Sequence, residues 1–437
     1  MRSMKLATAL AAIALVAAAC SSSATTAPSA APATAAPATA APATAAPATA
    51  APATAAPSVE APSAAPTEAA SAAPLSGSLT IWNAYGSGGT AEGKAFAQIL
   101  AGFQAANPGV TLTVLDVPFS DLYKKFETEA AAGGGPDMFI APNDNLGTEV
   151  RAGLLADVGD VSAQFVPQTV QVAINGSQVD GKYFMIPESL KAVATMYDSS
   201  VTKTFPTTTK DLLAAVKGGL KYGFNQSDYY AWGLWSAFGG TIMDGTGKCV
   251  ADQTPGVANA LAYLKQLKDA GATFYTDGAK MQDAFKTKKI SAMIEGPWFS
   301  GDAKTALGAN LAIVPGPDES GTFAPMTGVD GWYINAASPN IDLAKQVALI
   351  LTNQDNQQIY VDVAGHVPAN KNITPSDPIV QGYATAVATG FARPQNPEMN
   401  NYWGNFQDAM NQVLDKGADP VAAVKTACAA MNKANNK

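Results

Sequence analysis

Three short apolar runs, Leu79-Thr-Ile-Trp82, Val110-Thr-Leu-Thr-Val114 and Pro136-Asp-Met-Phe-Ile-Ala141, alternate with two segments of helical periodicity. No other feature constrains the fold as much. In the first helical segment Phe96, Ile99, Leu100 and Phe103 recur at helical spacing, and Asn107-Pro108-Gly109 stops it. The second runs from about Asp121 to Ala132 and ends in Gly133-Gly134-Gly135. Strand, helix, strand, helix, strand over so short a stretch predicts an α/β fold with a parallel sheet covered on both faces. Ligands of such sheets collect beside strand ends. That directs attention to Ser291-Ala-Met-Ile-Glu-Gly-Pro-Trp298, where an apolar run of strand length is halted by Gly296-Pro297 and Trp298 is delivered at its end. An indole placed there is either a flat apolar wall for a ligand or a core residue after a turn.

The chain before this folded part reads differently. Arg2 and Lys5 precede the apolar Leu6–Val16, which is too short to span a bilayer, and Ala17-Ala18-Ala19 leads to Cys20. Residues 1–19 thus resemble a bacterial lipoprotein signal peptide, with lipidation of Cys20 anchoring the chain at the outer face of a membrane; a plain secretory signal would leave Cys20 a free thiol. Residues 20–77 are rich in Ala, Pro, Thr and Ser, with a repeated Ala-Pro-Ala-Thr-Ala unit. Regular proline blocks helix and these side chains supply no core, so the stretch is expected to be a disordered, extended spacer.

Gly77 to Lys437 is long enough for two domains, and no later segment is uncharged and apolar enough to cross a membrane as a helix. The formal charge of −8, more negative still without Arg2 and Lys5, argues against nucleic acid as a partner. Two cysteines remain after Cys20. Cys249 and Cys428 either pair in an oxidising exterior or stay as buried thiols. The single histidine, His366, is a poor metal or catalytic candidate without a second one, so neither a metal nor a cofactor is expected.

The middle of the chain is aromatic. Tyr222 to Phe238 contains Tyr229, Tyr230, Trp232 and Trp235, and Gly239-Gly240 caps it as a helix. Tyr229, Trp232 and Trp235 share a helical face, a pattern that by itself reads as core. Helices are expected at Val257 to Ala270 and Gln282 to Lys288, then a strand at Leu311-Ala-Ile-Val314. Gly328-Val-Asp-Gly331-Trp332 reads as an irregular crossing, and two helices follow between about Ile341 and Gly365. Trp403, Phe406, Met410 and Val413 lie on one helical face, which makes Trp403 a core residue by pattern alone.

Ala292-Met-Ile-Glu-Gly-Pro-Trp298, Ile334-Asn-Ala-Ala-Ser-Pro-Asn340, Gly135-Pro-Asp137 leading to Gly153-Leu-Leu-Ala156, the run Ala192 to Asp198, and Asn396-Pro-Glu-Met-Asn-Asn-Tyr-Trp403 resemble the maltose/maltodextrin-binding protein family, extracellular receptors of sugar ABC importers. The motifs come in the family's order and cover nearly all of the folded part. The resemblance implies a two-lobe fold with three crossings and the ligand in the cleft between the lobes. It places one lobe at 78–190 plus 332–378, the other at 191–327 plus 379–437, and a hinge crossing at 328–331. It also implies that Tyr229, Trp298 and Trp403 stack on sugar, that Asp144 binds hydroxyls, and that Trp82 and Trp232 stand in or just behind the cleft; Tyr85, in the loop after the first strand, and Trp332 are also expected at the ligand. The physical sense is that a pyranose offers C–H faces to aromatic rings and hydroxyls to polar groups at their rim.

Departures from the family bear on specificity. Ala141 stands where well-known members have a cleft tryptophan, Asn145 where a basic residue follows Asp144, Lys191 where they have a carboxylate, Gln407 for an arginine, and Gly86-Ser87 for an Asp-Lys pair. Lys191 and Gln407 are accordingly expected at the ligand. The implied protein is a monomeric, lipid-anchored receptor that hands an oligosaccharide, first of all a malto-oligosaccharide, to permease subunits. A glycoside hydrolase using Glu295 with Asp144 or Glu188 needs two carboxylates across a scissile bond, which nothing in the sequence supports; a surface adhesin on the same lobes is the third reading.

Overall fold

The structure, a computed structural model, describes residues 74–86 and 89–437. The signal at 1–19, Cys20, the Ala/Pro/Thr-rich stretch up to residue 73, and Ser87 lie outside the described residues.

The first run becomes β1 (Gly77–Asn83), joined by the helix Ala91–Ala106 to β2 (Val110–Asp116) and by the helix Phe119–Ala131 to β3 (Met138–Pro142). β1 pairs in parallel with both β2 and β3, as the alternation predicts. Phe96, Ile99 and Phe103 bury one face of the first helix against this sheet. After a small hairpin, β4 (Gln178–Val179) and β5 (Lys182–Tyr183), comes β6 (Ile186–Lys191).

β6 ends at Lys191 and β7 (Ala194–Asp198) opens a second sheet, so the chain has changed lobes within two residues. That sheet is completed by β8 (Tyr222–Asn225), β9 (Thr273–Tyr275), β10 (Ala292–Glu295) and β11 (Leu311–Val314), in the order β11-β7-β10-β8-β9. The chain then returns along β12 (Met326–Ile334), which runs antiparallel to β3 and β6 in the first sheet. After β13 (Val367–Pro368) it leaves again, and the helix Pro378–Ala388 packs against β11. β14 (Phe391–Ala392) pairs with Met326 and Thr327 at the start of β12. The first sheet therefore has the path β13-β6-β12-β3-β1-β2. It is mixed, because the return strands pair antiparallel to their neighbours.

Two features differ from expectation. Tyr222 to Phe238 is not one helix: β8 occupies its start, and Ser227 caps the helix Asp228–Ala237 by accepting a hydrogen bond from the Tyr229 amide. Residues 328–331, expected as an irregular segment, lie within the nine-residue β12, whose pairing with β6 shifts register between Asp330 and Gly331 because Glu188 is an extra residue in β6. The flanking glycines let β12 lie close to β6, since a Cβ on Gly331 would sit 2.5 Å from the Ile186 carbonyl oxygen. Cys249 and Cys428 form a disulfide, which ties the loop after Met243 to the last helix, Pro420–Ala434.

Candidate functional site

A cleft of about 530 Å³ opens where strands of both sheets end. Ala84 and Tyr85 follow β1, Pro142 and Asp144 close β3, Lys191 ends β6, and Gly328 and Asp330 belong to β12. From the other lobe come Tyr229, behind β8, and Trp298, behind β10. Met326, Arg393 and Trp403 complete that side, and Phe119 stands opposite.

Local chemistry sets these side chains. The Asn83 side chain accepts the Tyr85 amide and donates to Asp116, which turns the chain into the cleft after β1. Asn143 donates to the Gly176 carbonyl and accepts from the Val329 amide, fixing the end of β3 to β12. Gly296 is required where it stands: a Cβ there would lie 2.2 Å from the Trp298 ring, so only glycine lets the indole fold back beside the strand. Trp298 is 41% exposed and its ring centre is 6.4 Å from that of Tyr229; Phe119, 48% exposed, adds an apolar face. Such exposure of large rings inside a concavity marks a surface awaiting an apolar face.

The polar groups form two sets. Arg393 donates to Asp144 at 2.6 Å and lays its guanidinium 4.9 Å from the centre of the Trp403 ring, so a charge from each side of the cleft is neutralised there. Deeper lies a closed circuit. Lys191 contacts Glu92 at 2.8 Å and Asp330 at 2.7 Å; Tyr85 donates to Asp330 at 2.9 Å and reaches Glu188 at 3.4 Å; His366 bridges Glu188 at 3.2 Å and Glu92 at 3.0 Å. Burial works against the charges on Glu92, Lys191, Asp330 and His366. For Glu92 the cations Lys191 and His366 outweigh burial and hold the carboxyl well below its usual range. The carboxylates likewise hold Lys191 up, and Glu188 and Glu92 push His366 up to about 9. Burial raises the Asp330 carboxyl above its ordinary range, and the pull of Lys191 and His366 offsets this only in part.

Of the side chains expected at the ligand, Tyr85, Asp144, Lys191, Tyr229, Trp298 and Trp403 line the cleft. The helical pattern that reads Trp403 as core is half right, because the partly buried ring packs on Tyr402 and the second-lobe core and also lines the cleft. Trp82, Trp232, Trp332 and Gln407 do not line it. Trp82 is buried in the first lobe under Lys125, 4.7 Å from its ring centre. Trp232 is buried against Phe391 and Tyr402, one layer behind the cleft wall. Trp332, two residues beyond Asp330 on the same face of β12, is buried in the first-lobe core near Phe96. Gln407 accepts the Asp228 amide and donates to the Gln226 carbonyl, holding the helix that carries Tyr229 without reaching the cleft. Ala141 is buried in β3, and Asn145 donates to Glu127.

Sequence reasoning missed Glu92, Phe119, Asp330 and Arg393. Two of these carried a signal. Arg393 and Arg151 are the only arginines beyond Arg2, and Asp330 is an acid bracketed by glycines in an apolar strand. Of the carboxylates considered for hydrolysis, Glu295 is held by Tyr230, Gln282 and the Gly296 amide and Glu188 by Ser189, leaving Asp144 alone of the three on the cleft.

Comparison with known proteins places this geometry. The sequence profile described as bacterial extracellular solute-binding protein matches residues 98–388. The chain is 26% identical over 354 residues to the galactooligosaccharide-binding protein of Bacillus subtilis (strain 168), covering 73% of this chain and 81% of that protein. It is 25% identical over 372 residues to the maltotriose-binding protein of Pyrococcus abyssi (strain GE5 / Orsay), covering 80% and 81%. Its fold matches the Thermus thermophilus maltotriose binding protein bound with maltotriose at a TM-score of 0.72 and 24% identity, over 82% of this chain and 100% of that one.

Proposed function

The chain belongs to the bacterial extracellular solute-binding proteins, and we propose that it captures a malto-oligosaccharide between its lobes and delivers it to the membrane subunits of an ABC importer. One observation carries the reading: Tyr85 and Phe119 from one lobe and Tyr229, Trp298 and Trp403 from the other converge on a single cleft. Rings offer flat apolar faces to pyranose C–H surfaces, and the polar groups between them meet hydroxyls. The cleft's charges are paired with one another, Asp144 with Arg393 and Lys191 with Asp330 and Glu92, which suits a neutral ligand.

The role is binding, not catalysis. We place the lobes at 78–190 plus 332–378 and at 191–327 plus 379–437, with the hinge at 328–331, where β12 runs beside Lys191. Closure about that hinge expels water from the ring faces, and the ligand's preference for the closed form shifts the population. Lipid on Cys20 would hold a monomeric receptor at the membrane, with residues 20–77 as spacer.

The galactooligosaccharide-binding relative supplies the competing reading, a galacto-oligosaccharide in the same cleft. Titrating the intrinsic Trp fluorescence with maltose, maltotriose, cyclodextrin, galacto-oligosaccharides and cello-oligosaccharides separates the two. Saturable quenching or enhancement by maltotriose supports the first; response to galactosides alone selects the second, and release of smaller sugars during incubation refutes a pure receptor.

A further inference from the structure

We propose that Glu295 is a positioning residue that holds Tyr229 and Trp298 at a fixed separation in the cleft wall; the inference rests on the sugar-receptor reading above. Glu295 closes β10, is 0% exposed and does not line the cleft, so it acts on a ligand only through other side chains. Its carboxyl group joins the two segments that carry the rings. Oε1 accepts the Tyr230 hydroxyl at 2.8 Å and the Gly296 amide at 2.9 Å. Oε2 accepts the side chain of Gln282, from the helix Gly278–Lys286, at 3.2 Å. The Tyr383 hydroxyl donates to the Glu295 carbonyl at 3.2 Å, which holds the backbone at the same point.

Each end of the Oε1 bridge leads to a cleft ring. Tyr230 follows Tyr229 in the first turn of the helix Asp228–Ala237, and the two rings meet edge to face with centres 5.5 Å apart. Gly296 is the residue over which the Trp298 indole folds, and because Pro297 has no N–H, the Gly296 amide is the one backbone donor between Glu295 and Trp298. Burial pushes the Glu295 carboxyl up, and bonds from Gly296, Tyr230, Gln282 and Trp298 offset this only in part. A carboxyl group costs more to bury than an apolar side chain of similar volume, so packing alone does not call for one here. What it supplies is a tie. Tyr229 and Trp298 are tilted 40° to each other rather than stacked, and Trp298 is 41% exposed, so contact between the rings does not by itself fix their spacing. Rings held before the sugar arrives leave less to be ordered on binding.

Three substitutions in the full chain separate positioning from packing. Tyr230→Phe removes the hydroxyl and keeps the ring. Glu295→Met removes both acceptors and keeps most of the volume. Glu295→Gln keeps Oε1, and reversal of the Gln282 amide lets its oxygen accept the new N–H. The first readout needs no sugar: subtracting the emission of Trp298→Phe from that of the wild type isolates Trp298, and the same subtraction is made in each variant. In Tyr230→Phe and Glu295→Met the Trp298 component should be more readily quenched by acrylamide, and in Glu295→Gln it should match the wild type. The second readout is calorimetric titration with maltotriose. Tyr230→Phe and Glu295→Met are expected to weaken binding about three- to tenfold, as for ordering a loosened side chain, and Glu295→Gln to stay within about twofold. Combined with Trp298→Ala, the Tyr230→Phe loss should shrink to within about twofold, because no ring pair is left to hold. A Trp298 component unaltered in Tyr230→Phe overturns the proposal, whether or not Glu295→Met folds. So does a Tyr230→Phe loss that persists undiminished with Trp298→Ala, or an affinity equal to that of the wild type. A wild type that does not respond to maltotriose overturns the maltotriose reading instead, and the sugar-free measurement still decides whether Glu295 positions Trp298.

Discussion

At the scale of single residues the cleft is built by exceptions to local pattern. Trp298 is exposed where an indole would ordinarily be buried, and Gly296 exists to make room for it. Trp403 lies on the same helix as Phe406, Met410 and Val413, yet those bury and it does not. Asp144 is tied to Arg393 through one oxygen, which orients the carboxylate at the cleft. Trp298→Ala is expected to weaken glycan binding by more than about 1 kcal/mol, as for a central aromatic anchor, with the fold intact because the ring is half exposed. Calorimetric titration with circular dichroism of the variant checks both; unchanged affinity would show that the ring does not contact the ligand.

At the scale of elements, the buried circuit fastens together β6, β12, the first helix and the turn after Tyr360, since Glu188 and Lys191, Asp330, Glu92 and His366 come from these in turn. His366 also stacks on Tyr360, ring centres 5.1 Å apart. Its folded pKa of about 9 lies above the ordinary 6.5, the carboxylates Glu188 and Glu92 prevailing over burial and the repulsion of Lys191. A group raised in this way stabilises the fold fully below about pH 6.5, and the contribution is lost as pH rises through about 9. The melting temperature of the wild type should therefore decline between these limits more steeply than that of His366→Gln. Parallel slopes would show that the imidazolium contributes nothing to the circuit.

At the scale of the whole molecule, the chain leaves the first sheet after β6, re-enters it along β12 and leaves it again after β13, so each sheet is assembled from distant segments and the cleft lies where their strands end. The disulfide acts on the same scale. Cys249 and Cys428 are 179 residues apart in sequence, and closing so long a loop restricts the unfolded chain more than the folded one. Reduction, or Cys249→Ala with Cys428→Ala, is expected to cost about 2–5 kcal/mol of stability, read as a lowered denaturant midpoint. Sugar affinity should hardly change, because neither cysteine lines the cleft. An unchanged midpoint would contradict the chain-entropy account.

The sequence by itself determined what depends on neighbours along the chain. Periodic apolar positions and Gly/Pro punctuation mark β1 to β3 and their helices, and the motif around Trp298 points to the cleft because a strand end followed by Gly-Pro has few possible geometries. Local pattern was blind to what depends on neighbours in space. Trp332 and Trp82 are as conspicuous in the sequence as Trp298, but the two-residue alternation of strands and the side of the sheet on which a helix packs send them inward. Only the tertiary structure brought Glu92, Lys191, Asp330 and His366 together from positions as much as 274 residues apart, because a buried charge selects its partner by distance and dielectric environment, neither of which is written in linear order.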